Sequence, residues 1–274
     1  MDNIRGVNKL IVNTKKEDIK IPLNIFKKYH MDEIAYFDIE TTGFDRENNN
    51  IILISLGWYE DYYNFRINQY YAESLQEEYD ILKSFGNDIK NFDIWSSYNG
   101  IAFDEPFIKH RLHKKNLEYD LPKEHVDLYR HIKPYYKKLG MKRCNLKSVE
   151  RFIGINRKDE INGGISVKLY EEYLSTGDTN LRDIIMLHNY EDVLNLPKIF
   201  KLRYKIETND DLEREDIITD RQNKYLRYLL KQNHVSIKYN VRKMSKRTAS
   251  KLIGELLKGI KDEEELRKII KESY

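Results

Sequence analysis

The stretch YFDIETTGF, residues 36–44, sets two acids two positions apart where an apolar, β-branched run is ending. On a strand, residues i and i+2 share a face, so Asp38 and Glu40 are expected to point at one spot. Charge at a buried strand end is costly unless a counter-charge or a metal meets it. Any fold of this chain therefore has to bring cations or further ligands to that place. Spacing alone does not decide the matter, because Asp211/Glu213 and Asp262/Glu264 repeat it in polar helical or linker context with no strand before them. Oxygen donors of this kind suit Mg2+ or Mn2+, which favour carboxylates, water and phosphate oxygens.

The surroundings read as an α/β chain. Residues 34–38, 51–59 and 62–71 are rich in β-branched and aromatic residues between polar turns, which predicts three consecutive strands, the latter two as a hairpin. A helix is expected over 74–90, a strand over 92–99, a helix over 103–116 with Asp104 as a cap, and a short last strand over 125–129. Most of 130–205 reads as helical. The acidic stretch 207–216 has almost nothing to bury and marks a boundary. The expected organisation is a main domain over 1–206, a linker over 207–216, and a small, mostly helical module over 217–274. In that module helices are predicted over 218–233, 245–258 and 262–272, with an extended piece around VSIKYNV.

With 274 residues, 40% of them hydrophobic, the chain can bury one sizeable core and carry an appendage. No apolar run approaches the roughly 18 to 20 residues of a membrane span, and MDNIRGVNKLIV lacks a signal-peptide core. No membrane association and a cytoplasmic location are expected by default. Cys144 is the single cysteine, which excludes an intrachain disulfide and a thiolate zinc cluster. The formal charge of +3 hides an asymmetry: residues 217–260 hold eleven basic residues against Asp220 and Glu255, a net of +9, leaving −6 for the rest. That suits a polyanion held by one part and cations by another, although a solvated helical face is the plainer alternative.

Two later stretches supply further acids. SYNGIAFDEPF, 97–107, ends a strand with Asn99 and Gly100 and then offers Asp104 at a helix start. LHNYEDVLNL, 187–196, puts His188 and Asp192 four apart, on one helical face, with Glu191 rotated by about 100°. In isolation each has a plain reading, as a helix cap or a surface pair.

DIETTG, NGIAFD and HNYED, in this order, resemble the three motifs of the DnaQ-like, or DEDD, 3′→5′ exonucleases of the ribonuclease H-like fold. The likeness is closer to the YprB-type branch, through VDLYR at 126–130, CNLKSVERFIGINRKDEINGGIS at 144–166 and YLSTGD at 173–178, and it covers about 33–203. The resemblance implies a mixed central β-sheet flanked by α-helices, with Asp38, Glu40, Asp104 and Asp192 holding two Mg2+ or Mn2+ ions. It implies hydrolysis of phosphodiester bonds at the 3′ end of DNA or RNA by a two-metal mechanism. His188 is then the candidate general base, Thr41 and Thr42 touch the terminal nucleotide, Asn99 steadies the second motif, and Phe103 lies with them on the substrate side. Many members of the family put Tyr four residues before the last Asp and others put His five before it, whereas this chain has His188 at four; Tyr190 is the nearby alternative.

His110 and His113 lack a third zinc ligand nearby, and the run Lys109–Lys115 is expected to be a solvated basic face. The basic module over 217–274 is expected to bind either nucleic acid or a protein partner. Alternatives to the exonuclease are a catalytically silent or structure-specific nucleic-acid-binding protein on the same fold, and an endonuclease.

Overall fold

The computed structural model of the chain describes residues 10–161, 163–237 and 239–272. It divides into two compact units, one of residues 1–129 and 145–204, the other of 130–144 and 205–274. This division assigns 130–144, which the sequence suggested as part of the main domain, to the second unit.

The first unit is built on a six-stranded sheet in the order β1-β4-β3-β2-β5-β6. The strands are β1 (Ile11–Asp18), β2 (Ile34–Thr41), β3 (Ile51–Tyr59), β4 (Asn64–Tyr71), β5 (Ile94–Ser97) and β6 (Glu124–Asp127). β1, β4, β3 and β2 run antiparallel to their neighbours, while β5 and β6 extend the sheet in parallel. The sheet is therefore mixed, as expected. β1 was not foreseen: its sequence IVNTKKED is mostly exposed and carries little apolar signal, and it is a strand because all eight of its residues pair with β4. Its lysines suit an edge strand, where charge discourages further pairing.

β2 lies inside the sheet, and its alternation decides everything near it. Ala35, Phe37 and Ile39 face a core with Ile81, Leu82, Phe85, Trp95 and Phe107, contributed largely by α2 (Glu78–Ile89) and α3 (Asp104–Lys114). Arg111 departs from the expected solvated basic face. It is buried, and its Nε and Nη2 reach Glu78 at 2.7 and 2.5 Å, while Glu78 also accepts from the Ile51 N–H at 2.9 Å. This paired charge ties α3 and α2 to the start of β3.

The opposite face, bearing Tyr36, Asp38 and Glu40, is covered by α7 (Thr179–Thr208), with α6 (Gly163–Thr176) packed alongside. Before them come α1 (Leu23–Lys28), α4 (Leu128–Ile132) and α5 (Leu146–Phe152). Where β3 passes under α7 there is Gly57, at which a Cβ would lie 2.6 Å from the Phe65 ring and 2.9 Å from a methyl of Val193. The helix can approach only because that side chain is missing.

The second unit has its own core of Ile218, Leu226, Leu229, Val241, Met244, Leu252, Leu256 and Leu266. Its helices are α8 (Asp220–Gln232), α9 (Lys246–Leu257) and α10 (Glu263–Glu272). Thr219 and Gln222 form a reciprocal capping box at the start of α8, and Ser245 caps α9. The extended piece expected around VSIKYNV is not a strand among the described residues, and its Lys238 lies outside them.

Substituting Gly57→Ala should destabilise the sheet unit by about 1–3 kcal/mol, through overpacking against Phe65 and Val193. A lowered urea midpoint, followed by amide exchange in β3, would measure it; an unchanged midpoint would mean that α7 has room to give.

Candidate functional site

The four acids meet where β2 ends. Asp38 and Glu40 come from one face of β2, Asp104 from the first residue of α3 and Asp192 from the middle of α7. Asp104 is not the N-cap, a position held by Phe103; its Oδ1 instead accepts from the Ile39 N–H across the sheet edge at 3.3 Å. Asn189 on α7 donates its amide to Asp38 Oδ2 at 2.6 Å. Behind it, Ser55 on β3 donates to the side-chain Oδ1 of Asn189, and Gln69 donates to Ser55 at 3.0 Å and to the backbone carbonyl of Met186 at 2.9 Å. A buried polar ladder thus fixes the rotation of α7 over the strand that carries the acids.

Turn chemistry delivers Asp104. Asn99 adopts φ 71°, a left-handed conformation that Asn tolerates better than most residues. Asp127 at the end of β6 accepts the N–H groups of Asn99 and Ile101 at 2.8 and 3.3 Å. His125 bridges Ser97 and Glu105 at 2.7 and 2.6 Å, tying β5 to the first turn of α3. A Cβ on Gly100 would sit 2.2 Å from Ser97 Oγ and 3.3 Å from Asp104 Oδ2, so the chain passes there only as glycine.

The acids disturb one another. Burial, and then the charges of Asp192, Asp104 and Glu40, push Asp38 well above the ordinary carboxylate value, against the Asn189 hydrogen bond. Burial and then Asp192 push Glu40 up in the same way. Burial raises Asp104 to about 7 in spite of its backbone hydrogen bonds. Each of these shifts says that the site favours an added positive charge, whether a proton or a metal ion. Glu40, His188 and Asp192 form the metal-competent group among the described residues, with one ligand atom from each lying within 4.8 Å of the others.

His188 is buried on α7, with Nε2 at 3.7 Å from both Glu40 Oε1 and Asp192 Oδ2. Its Nδ1 is 2.7 Å from Asp159 Oδ2, which orients the ring. Tyr190, the nearby alternative, turns away and donates to Glu17 of β1. Glu191 also turns away, accepting the N–H groups of Lys158 and Asp159.

Asp159 belongs to a charged cluster that sequence reasoning missed. Lys147 Nζ approaches it at 2.8 Å and Arg157 Nη1 at 3.3 Å. Burial works against its carboxylate, but the Lys147 and His188 contacts outweigh that and hold it below its ordinary value. Arg157 also grips Glu150 through two bonds, at 2.5 and 2.8 Å, and pairs with Asp192 Oδ1. The counter-charge that the buried acids demand is therefore partly supplied by the protein. All four residues lie in the YprB-like linking text, 144–166, but nothing in its local pattern signals that they converge on the third motif.

The expected substrate contacts are less concentrated. The Thr41 hydroxyl donates to the Gly43 carbonyl at 2.8 Å, and that of Thr42 bonds Asn49 at 3.2 Å, so both brace the loop after β2. Asn99 contributes its backbone to the turn while its side chain is exposed. Phe103 is half-buried, its ring edge-to-face with Phe44 at 5.9 Å, and Phe44 is 87% exposed. Phe44 was missed as a candidate although it closes the opening motif.

A family description, the RNase_H superfamily, matches residues 35–204, which hold the sheet from β2 onward, the four acids and His188. The chain belongs to the RNase H superfamily. It is also 31% identical over 183 residues to the uncharacterized protein YprB of Bacillus subtilis (strain 168), across 64% of this chain and 42% of that protein. This chain thus spans less than half the length of that relative. The RNase H-like domain is of the YprB type, and in its nuclease-type fold the acids gather at the end of the central strand β2. No described helix is long and apolar enough to cross a membrane.

A raised carboxyl binds its proton more tightly folded than unfolded, so its contribution to stability is full below the unfolded value near 4 and is lost as pH rises to the folded value. In EDTA, stability should therefore fall between about pH 4 and about pH 7, the window set by Asp104. Mn2+ should reverse the trend by raising the melting temperature most at neutral pH. Melting curves with and without Mn2+ across that range check both; a metal effect equally large in Asp38→Asn would count against this site.

Proposed function

We propose that this chain is a divalent-metal-dependent 3′→5′ exonuclease that removes nucleotides from single-stranded nucleic-acid ends in the cytoplasm. The observation that carries the reading is the convergence of Asp38, Glu40, Asp104 and Asp192 on one strand end, with His188 beside them. The donors are hard carboxylate oxygens whose protonation is raised by crowding, a set that fits Mg2+ or Mn2+. Asp38, Glu40, Asp104 and Asp192 would hold two ions, which when bound neutralise phosphate charge and lower the cost of activating water.

The protein's own groups do the rest. Asp159 keeps the Nδ1 side of His188 engaged, so Nε2 faces the acids and is free to take the proton of the attacking water. As the new oxygen–phosphorus bond forms, the bond from phosphorus to the 3′ oxygen of the preceding nucleotide breaks and a mononucleotide leaves. Thr41, Thr42 and Asn99 shape the loops around the terminal nucleotide. Phe44 and Phe103 offer an aromatic edge against which its base can stack. In this scheme residues 1–206 carry the chemistry, and 207–216 join them to a module over 217–274.

A second reading draws on Arg157, which neutralises Asp192 without any ion. On that reading the domain binds nucleic acid without turnover. The two readings separate with 5′-labelled DNA and RNA oligonucleotides in Mg2+, Mn2+ or EDTA. A ladder shortening from the 3′ end, lost in EDTA and in Asp38→Ala, is expected; binding with no cleavage under any of these conditions favours the silent domain.

Asp159→Asn should cost about 10- to 100-fold in kcat with KM little changed, and His188→Gln about 100- to 10,000-fold. Steady-state kinetics on one short oligonucleotide would measure both, and equal activity of Asp159→Asn and wild type would remove Asp159 from the mechanism.

A further inference from the structure

The helix α8 (Asp220–Gln232) buries Leu226, Leu229 and Leu230 in the core of the second unit. The rest of its surface is unusual for a helix whose only task is to cover that core. Arg221, Lys224, Tyr225, Arg227, Tyr228 and Lys231 are all exposed, spread over successive turns. Tyr225 and Tyr228 are 42% and 58% exposed, and their rings lie nearly parallel, at 12°, with centroids 6.4 Å apart.

Several cations elsewhere in the same unit are paired, while Arg242, Lys246, Arg247 and Lys251, like those of α8, meet no acid among the described residues. What sets α8 apart is that its cations alternate with exposed aromatic faces. Lys243 pairs with Asp210, Arg214 with Asp216, Lys137 with Glu215, Lys258 with Glu255 and Arg267 with Glu263. Among the described residues, Arg221, Lys224, Arg227 and Lys231 pair with no acid, and Arg227 is held to Asn223 of its own helix at 2.9 Å. Exposed cations left without acids, interleaved with flat aromatic faces, match a ligand that is at once anionic and aromatic.

We propose that this face of α8 is a docking strip for single-stranded nucleic acid, with Tyr225 and Tyr228 stacking on bases and the four cations meeting phosphates. Stacking on tyrosine accepts any base, so the strip is sequence-blind. A duplex hides its base faces and would use only the cations, which is why the tyrosines select a single strand. The proposal rests on the reading of the chain as one that acts on nucleic acid, and is independent of whether Asp38 and its partners cleave.

The test uses the full chain in EDTA and follows the anisotropy of a labelled thymidine oligonucleotide about 20 residues long at about 50 and 200 mM salt. Tyr225→Ala/Tyr228→Ala should weaken binding about tenfold or more, while Tyr225→Phe/Tyr228→Phe should stay within about twofold, because the π faces remain. Lys224→Gln/Arg227→Gln should flatten the salt slope by between one and two. Circular dichroism and melting of each variant should match wild type, since the altered side chains are exposed. Unchanged affinity in the alanine pair, no binding by wild type, or polyglutamate competing as well as the oligonucleotide would overturn the proposal, the last in favour of an acidic protein partner. A chain that binds through these tyrosines but never shortens an oligonucleotide keeps the strip and loses the exonuclease.

Discussion

Crowded negative charge at the end of β2 is the constraint on which the rest of the domain depends. Asp38, Glu40 and Asp104 are each pushed towards their protonated forms by burial and by neighbouring carboxylates, so the site exists only because other interactions hold the acids in place. Those interactions are backbone and amide groups rather than apolar packing. The Ile39 N–H holds Asp104, and the Asn189 amide holds Asp38. Behind them, Gln69 and Ser55 lock the helix that carries Asn189, His188 and Asp192. A helix that rolled by one position would break this ladder and carry both catalytic candidates away from the strand.

Around the acids the protein has placed cations at graded distance. Arg157 pairs directly with Asp192, whereas Lys147 pairs with Asp159, behind His188. The arrangement holds buried charge without neutralising Asp38 or Glu40, which leaves the strand end attractive to a divalent ion. The Asp159–His188 contact adds direction, since a ring fixed at Nδ1 can present only Nε2 to the acids. The second unit follows a different logic, with a small apolar core of its own and exposed charge sorted into paired and unpaired sets.

Much of this was legible in the sequence because it is local. The alternation of β2, the strand end at Asn99 and Gly100, and the His188 and Asp192 pair on one helical face are each written within a few residues. Most helices of the second unit fell within a residue or two of expectation, because amphipathic spacing and caps are also local. The misses share one cause. β1 is a strand only by pairing with β4, Arg111 is buried only because Glu78 awaits it, and Asp159 meets His188 across 29 positions of chain.

The sequence by itself determined which residues could bear the chemistry, because residue type and period fix which side chains share a face. It also determined the charge contrast between the acidic body and its basic end. Only the tertiary structure decided which of those side chains meet, which hydroxyls brace a loop, and that Arg157, Glu150 and Lys147 belong beside the third motif. The physical reason is range. Periodicity and turn chemistry act over a few residues, whereas burial and charge pairing depend on distances in space that no local pattern encodes.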